Sequence, residues 1–294
     1  MKSRWFSLAI FGFALLFDSL PASRGDGPLP EFKFQEVALH PKDLVYSPNE
    51  DLIHPTIVKT EGRIENPIGK DYLYHAPHKH IATSMAYSDN LEGPWKEHKQ
   101  NPVVEGPSAP DVRWIEEQGK FFLWGHRKKS QTELWTSDDG INFKYHSVSI
   151  TAQNIGTRNA TYSRMYEYPL EEYGSKYIML YSGFIEDRGI RCIWLAHSKD
   201  AENWVQLKTP LVEPIEGEMN DCYGPSLFRW TDKNYVVYQD HTTWRGGNIK
   251  YVELDQELNP VGGSGNRYVL MDPPNEPPLN DRYRGAEFYC ENGK

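Results

Sequence analysis

Four carboxylates of the sequence lie near the starts of predicted strands, and they are Asp51, Asp111, Asp221 and Glu287. Two carboxyl groups that face each other can perform general acid–base chemistry, in which one donates a proton and the other activates a water molecule. Asp111 and Glu287 occupy matching strand positions, which makes them candidates for this role. The alternatives are that Asp111 caps backbone groups and that Glu287 is a solvated surface side chain.

Histidine is a second residue type that could transfer protons near neutral pH. His54 precedes a proline at a predicted strand start, although a His-Pro pair also serves simply to begin a strand. His75, His78 and His80 lie within six residues, in a segment that its proline predicts to be a loop. These three side chains could contact a substrate, hold a metal ion or lie exposed. The sequence favours no metal and no cofactor.

Polar and aromatic residues near the same predicted strand starts could bind a ligand. Arg158 and Asn159 could form hydrogen bonds with hydroxyl groups or a carboxylate, or Arg158 could form a salt bridge within the protein. Trp244 lies beside Arg245 and two glycines in a predicted loop, where an aromatic face could contact a sugar ring. We also include Tyr223 and Arg284, which lie at strand starts, among the candidate substrate contacts.

These residues are positioned by a repeated unit, which is clearest between Ser108 and Trp124. In each copy a strand leads through a turn into an antiparallel partner rich in aromatic residues. The matching turn positions Lys70, Lys120, Lys176, Asn234 and Lys294 are 50, 56, 58 and 60 residues apart. Spacing of this kind predicts a repeat architecture.

A third strand and a polar turn follow the hairpin in each unit, as at Ser137-Asp138-Asp139-Gly140 and Ser198-Lys199-Asp200. Four strands in each unit predict the blades of a propeller. The expected fold is therefore all-β, a five-bladed β-propeller, with the last blade incomplete in this chain. The segment from Phe32 to Tyr46 could lend a closing strand to that blade. A β-sandwich is the main structural alternative.

Composition limits the classes of partner. The 294 residues carry a formal net charge of -9, and 13% of them are aromatic. An acidic chain without a basic block argues against a nucleic acid partner. A neutral or sugar-like ligand, such as an oligosaccharide or polysaccharide, fits this composition better.

The first residues predict a signal peptide. Lys2 and Arg4 precede an apolar run from Trp5 to Phe17, and small residues follow near Ala22. Residues 1–23 are therefore expected to be a cleaved secretory signal, with a retained anchor as the alternative. Residues 24–50 are expected to form a linker and an N-terminal strand, and residues 51–294 the propeller. The protein is then secreted or periplasmic and has no membrane contact after cleavage.

The repeat resembles the five-bladed glycosidase clan, which includes glycoside hydrolase families 43, 32, 62, 68 and 117. The resemblance rests on Ala109-Pro110-Asp111 with Gly119-Lys120, on Gly224-Pro225, and on Ser88-Asp89-Asn90-Leu91-Glu92-Gly93-Pro94-Trp95 followed by Asn101-Pro102-Val103. It covers roughly residues 51–294 and is more specific for the fold than for the activity.

The resemblance implies positions for catalytic carboxylates that this chain does not fill. Family 43 has a general base directly before the proline of blade one and a general acid directly before Gly-Pro in blade four. Here these positions hold His54 and Tyr223. A third acidic position in blade three would fall near Asn159 or Ala160. Asp111 matches a blade-two aspartate. In that family this aspartate acts more as a substrate-site and structural residue than as a nucleophile.

If the protein hydrolyses a glycoside, other carboxylates at the blade starts must act. We expect Glu287, flanked by Arg284, to be the acid and either Asp51 or Asp111 to be the base; His54 is a further candidate for either role. The leading hypothesis is a secreted glycoside hydrolase. A non-catalytic carbohydrate-binding propeller and a propeller for protein–protein contact are the alternatives.

Overall fold

The computed structural model describes residues 29, 38–48, 51–215, 221–240, 248–263 and 265–271. Within these ranges the chain forms four antiparallel sheets, and its only helices are single 3-10 turns at Pro41–Asp43, Gln153–Ile155 and Glu171–Tyr173. None of the helices in the described ranges has the length and apolar character needed to cross a bilayer.

Each sheet is one blade, and its strands pair in chain order. Blade one comprises β1 Leu52–Lys59, β2 Asp71–Pro77, β3 Ala82–Ser88 and β4 Lys96–Glu97, with β5 Val104–Glu105 pairing with β3. Blade two comprises β6 Ser108–Ile115, β7 Lys120–His126, β8 Gln131–Ser137 and β9 Lys144–Thr151. Blade three comprises β10 Thr161–Leu170, β11 Ser175–Ile185, β12 Ile190–Ser198 and β13 Trp204–Gln206. Blade four comprises β14 Cys222–Trp230, β15 Lys233–Asp240, β16 Ile249–Leu254 and β17 Tyr268–Met271.

This arrangement confirms the all-β propeller. The repeated turn positions Lys70, Lys120, Lys176 and Asn234 lie at the start of the second strand of each described blade. The predicted start of the fifth blade, near Arg284, lies outside the described residues. The first strands of neighbouring blades contact one another around the axis. We call the end at which these inner strands begin the mouth.

The hydrophobic core lies between the blades. Aromatic and aliphatic side chains of blade two, such as Trp124 and Leu134, pack against Met179 and Trp194 of blade three. Equivalent layers lie between blades one and two and between blades three and four. Trp124 is fully buried, as are many large side chains on the second strands. Stacking of successive sheets therefore fixes the positions of the inner strands.

The described part of the N-terminal segment packs against blade one. Residues 38–46 contain the turn Pro41–Asp43 and no strand, so for these residues the expectation of a closing strand is wrong. Leu39 and Leu44 join the hydrophobic cluster of blade one, and the backbone N–H groups of Val45 and Tyr46 donate to the carboxylate of Glu97. The segment is therefore held against blade one by the burial of two leucines and not by strand pairing.

Every described inner strand carries a β-bulge at the same position. The register shifts between Ile53 and Thr56 in blade one and at the matching positions of the other three blades. The residues at these bulges have positive φ angles, which are His54 51°, Ala109 52°, Tyr162 56° and Gly224 61°. A bulge redirects side chains at a sheet end and is common beside functional sites. The repeated bulge therefore marks the mouth as the place to look for function.

The polar turns predicted after the third strands have one shared hydrogen-bond pattern. Asp139 accepts from the backbone N–H groups of Ile141 and Asn142, each at 2.8 Å, and from the Asn142 side chain at 2.7 Å. Asp200 accepts in the same way from residues 202 and 203. Partial burial acts to raise the pKa of both carboxyl groups, but these hydrogen bonds outweigh it and lower each pKa to about 2.

We expect these turns to make the fold sensitive to acid. An unfolded aspartate has a pKa of about 3.9, so the stabilisation is complete above that pH and is lost as the pH falls toward 2. Urea unfolding between pH 2 and 6 should therefore show a shallower acid dependence in the double variant Asp139→Asn/Asp200→Asn than in the parent. Asp138→Asn, at a side chain that is 83% exposed, is the control. Equal slopes for parent and double variant would contradict this assignment.

Candidate functional site at the propeller mouth

The bulges bring aromatic side chains from different blades together. The rings of His54 and Tyr162 are stacked, with centroids 4.6 Å apart. Tyr162 also contacts His126 edge-on at 5.3 Å and Tyr223 at 5.7 Å. Blades one, two, three and four thus each contribute one ring to a cluster centred on Tyr162. We call these four residues the mouth cluster.

An ion pair adjoins the mouth cluster on the side of blade four. Arg191 Nη1 lies 3.0 Å from Asp221 Oδ1, and the guanidinium lies 5.6 Å from the centre of the Tyr223 ring. The side chains of Arg191 and Asp221 are 23% and 19% exposed. Solvent therefore reaches a charged donor and a charged acceptor beside an aromatic face. Asp221 was noted in the sequence, whereas Arg191 was not.

Asp111 is not a mouth residue, which corrects its assignment as a ligand contact or catalyst. Its side chain is fully buried, and Arg113 Nη2 lies 2.9 Å from Oδ1. The backbone N–H of Met165 donates to Oδ2 at 2.6 Å, and the Thr56 hydroxyl lies 3.5 Å from Oδ1. A carboxylate with these partners in the interior joins blades together. Asp111 therefore has the structural role that was its alternative in the sequence.

Arg164 extends this buried network to the bulges. Its guanidinium donates to the carbonyl oxygen of Pro110 at 2.6 Å and of Pro55 at 3.2 Å, and it lies 3.9 Å from Asp111. Each of these prolines directly follows a bulge residue, His54 or Ala109. Arg164 therefore holds the bulges of blades one and two in place through hydrogen bonds from the protein interior.

Asp51 lies at the rim of the mouth. Its side chain is 52% exposed and lies 3.6 Å from Nδ1 of His78. It precedes the bulge residue of blade one by three positions, as Asp221 does in blade four and Asn159 in blade three. Asp51 and Asp221 are thus equivalent residues of two blades, and Asp51 is the more accessible of the two carboxylates.

The three clustered histidines have different surroundings. His75 lies inside β2 and is buried, so the prediction that this segment is a loop is wrong at His75. Burial lowers the pKa of His75 to about 4. His78 lies beside Asp51, whereas His80 lies 3.1 Å from the Ser47 hydroxyl. Among the described residues no three His, Cys, Asp or Glu side chains are grouped so as to hold a metal ion.

Arg158 and Asn159 lie where blade three begins. Asn159 is buried and its Oδ1 accepts the backbone N–H of Phe184 at 2.6 Å, so that it ties the strand start to β11. Arg158 is 64% exposed and lies 4.0 Å from the carboxylate of Glu186. Only Arg158 of this pair therefore presents a charged group to solvent. Glu287, Arg284 and Trp244 lie outside the described residues, and their roles stay predictions.

Tyr162, His126 and Arg191 were missed by the sequence reasoning. The repeat contained a signal for Tyr162, because Tyr162-Ser163-Arg164 aligns with Gly224-Pro225-Ser226. The sequence predicts the start of blade three near Arg158, which is four residues before the bulge residue Tyr162. No local pattern marks His126 or Arg191, since both reach the mouth only through pairing of second and third strands.

The surroundings of His126 determine its charge. Burial lowers the pKa of His126 to about 4, and Lys129 adds a smaller repulsion that acts in the same direction. The imidazole of His126 is therefore neutral at physiological pH and offers one N–H donor and one acceptor. Of the four rings in the mouth cluster, those of His54 and Tyr223 are buried, and those of His126 and Tyr162 are partly exposed.

Comparisons with known proteins bear on the fold. No family model matches the chain, and no curated protein is similar to it in sequence. Among solved structures, the endo-1,4-beta-xylanase from Bacteroides thetaiotaomicron is 18% identical, with a TM-score of 0.50 over 71% of this chain and 70% of the xylanase. A protein solved as an RGII complex is 13% identical, with a TM-score of 0.55 over 79% of this chain and 78% of that protein. At the level of the fold these likenesses confirm the resemblance inferred from the repeat, and the chain is similar in architecture to a propeller glycoside hydrolase.

Proposed function

We propose that the protein is a secreted glycoside hydrolase that cleaves an oligosaccharide or polysaccharide by general acid–base chemistry. The observation that carries this proposal is the mouth cluster, in which His54, Tyr162, His126 and Tyr223, one ring from each described blade, lie together. The half-exposed carboxylate of Asp51 directly precedes β1, the inner strand that contains His54. A fold shared with a xylanase adds support by analogy.

Roles follow from accessibility and charge. Asp51 is the general base, because its carboxylate is open to water and to a ligand. Glu287 is the general acid, as the sequence predicts. Asp221 accepts hydrogen bonds from sugar hydroxyls, and Arg191 donates hydrogen bonds to them. The partly exposed ring of Tyr162 packs against the apolar face of a sugar residue.

Secretion is part of this proposal and rests on the N-terminal sequence. Two basic residues, an apolar run too short to span a bilayer comfortably, and small residues near Ala22 form the pattern that signal peptidase recognises. An extracellular enzyme meets polysaccharides directly. Expression of the full chain in a bacterial host, with the mass of any periplasmic or secreted product measured, tests cleavage near residue 23.

A non-catalytic carbohydrate-binding propeller is the second candidate. It is favoured by His54 and Tyr223, which occupy the two positions that are acidic in the family that the sequence resembles. It is also favoured by Asp111, whose carboxylate is fully buried and engaged by Arg113 and Met165. Both candidates place a glycan at the mouth and differ only in proton transfer.

Release of reducing ends separates the two candidates. The purified chain should release reducing sugar from at least one member of a panel of neutral and acidic plant and algal oligosaccharides. Titration calorimetry with the same panel measures binding. Binding without release would establish the second candidate, and a folded chain that neither binds nor cleaves any member would overturn both.

A further inference from the structure

The loop between β7 and β8 carries three consecutive cations at the mouth. Arg127, Lys128 and Lys129 are all exposed, in a chain whose formal net charge is -9. Arg158 lies at the adjoining start of blade three and is also exposed. We call these four residues the basic rim.

The basic rim is held beside the mouth cluster by backbone contacts. The carbonyl oxygen of Lys129 accepts the N–H of Ala160 at 2.9 Å, and that of Ser130 accepts the N–H of Ala152 at 2.8 Å. The Thr132 hydroxyl donates to the carbonyl oxygen of Ala160 at 3.0 Å. Ala160 is two residues before Tyr162, so the loop is fixed next to the centre of the mouth cluster.

Only part of this positive charge is balanced by neighbouring carboxylates. Arg127 lies 3.3 Å from the buried carboxylate of Glu133, and Arg158 lies 4.0 Å from the exposed carboxylate of Glu186. In the part of the chain that the structure describes, the side chains of Lys128 and Lys129 form no ion pair. Two ammonium groups therefore remain to attract an anion at the mouth.

His126 supplies a second, independent observation. It ends β7 directly before the basic rim, and its ring meets Tyr162 edge-on. The Nδ1 atom of His126 is buried, and within the described ranges it has no hydrogen-bond partner. A buried polar atom without a hydrogen-bond partner is destabilising, so a ligand that bonds to it gains that contact.

We infer that the basic rim and His126 bind an anionic group of the glycan, so that the substrate is an acidic saccharide carrying a carboxylate or a sulfate ester. This inference rests on the proposed function. Ammonium groups attract either anion, and a neutral imidazole N–H donates to its oxygen atoms. The glycan then extends from the basic rim across Tyr162 toward Tyr223 and Arg191.

Binding of matched trisaccharides tests the inference. Titration calorimetry would compare trigalacturonate and a sulfated galactotriose with unmodified galactotriose, first in 50 mM and then in 500 mM sodium chloride. We expect at least about tenfold tighter binding of an anionic probe at low salt, and a smaller difference at high salt because salt screens exposed charges. The two anionic probes decide between a carboxylate and a sulfate.

Charge-matched variants locate the effect. Lys128→Ala/Lys129→Ala should bring the affinity for the preferred anionic probe close to that for galactotriose. Lys96→Ala/Lys144→Ala removes the same charge from exposed lysines at the opposite end of the blades and should leave the preference intact. Melting temperatures confirm that both variants fold. Equal affinity for neutral and anionic probes overturns the inference while the proposed function stands, whereas a parent that neither binds nor cleaves any glycan overturns both.

Discussion

Replacement of Asp111 by asparagine is expected to lower the free energy of unfolding by about 3–5 kcal/mol, the range for removal of one partner from a buried ion pair. The carboxylate is fully buried and lies 2.9 Å from Arg113 and 3.9 Å from Arg164. An amide keeps the size of the side chain but not its charge, so that Arg164 remains in the interior with a neutral neighbour. Urea denaturation followed by tryptophan fluorescence measures the change.

Asp138→Asn is the matched control for this substitution. Asp138 is 83% exposed and pairs with Lys120 at 3.2 Å, so its replacement should change stability by less than about 0.5 kcal/mol. If Asp111→Asn abolished glycan cleavage while unfolding at the same urea concentration as the parent, Asp111 would be a catalyst after all. The structural role assigned to it here would then be wrong.

Asp51→Asn should lower kcat by about 10²–10⁴-fold, the usual contribution of a general acid or base. Its side chain is 52% exposed, so loss of its charge should leave the free energy of unfolding within about 0.5 kcal/mol of the parent. The substitution keeps the shape of the side chain and removes the group that accepts a proton from water. Initial rates of reducing-sugar release and a thermal melt are the two measurements.

The same experiment on Glu287→Gln tests the predicted acid, and Asp138→Asn again serves as the control. An Asp51→Asn enzyme as fast as the parent would exclude Asp51 from proton transfer. Asp221 would then be the described mouth carboxylate to test next.

The repeat in the sequence determined the architecture of this protein. Turn positions such as Lys120 and Lys176 recur because each blade needs one tight connection between its first two strands, and alternating apolar residues specify which face packs against the next blade. These requirements concern residues that are close together in the chain, so a single sequence is enough to predict them. The polar turns at Asp139 and Asp200 could be predicted from the sequence for the same reason. All their hydrogen bonds lie within five residues.

Only the tertiary structure decided which polar residues face the mouth. Asp111 and Asp51 are both carboxylates near strand starts, yet one is fully buried under Arg164 and the other is half-exposed. Asp111 follows the bulge of blade two, whereas Asp51 precedes the bulge of blade one. The two side chains differ in exposure because a bulge changes the direction of the chain. His126 and Tyr162 are 36 residues apart in the sequence and meet because neighbouring blades stack. Contacts between blades depend on the packing of whole sheets, and no single segment of sequence contains that information.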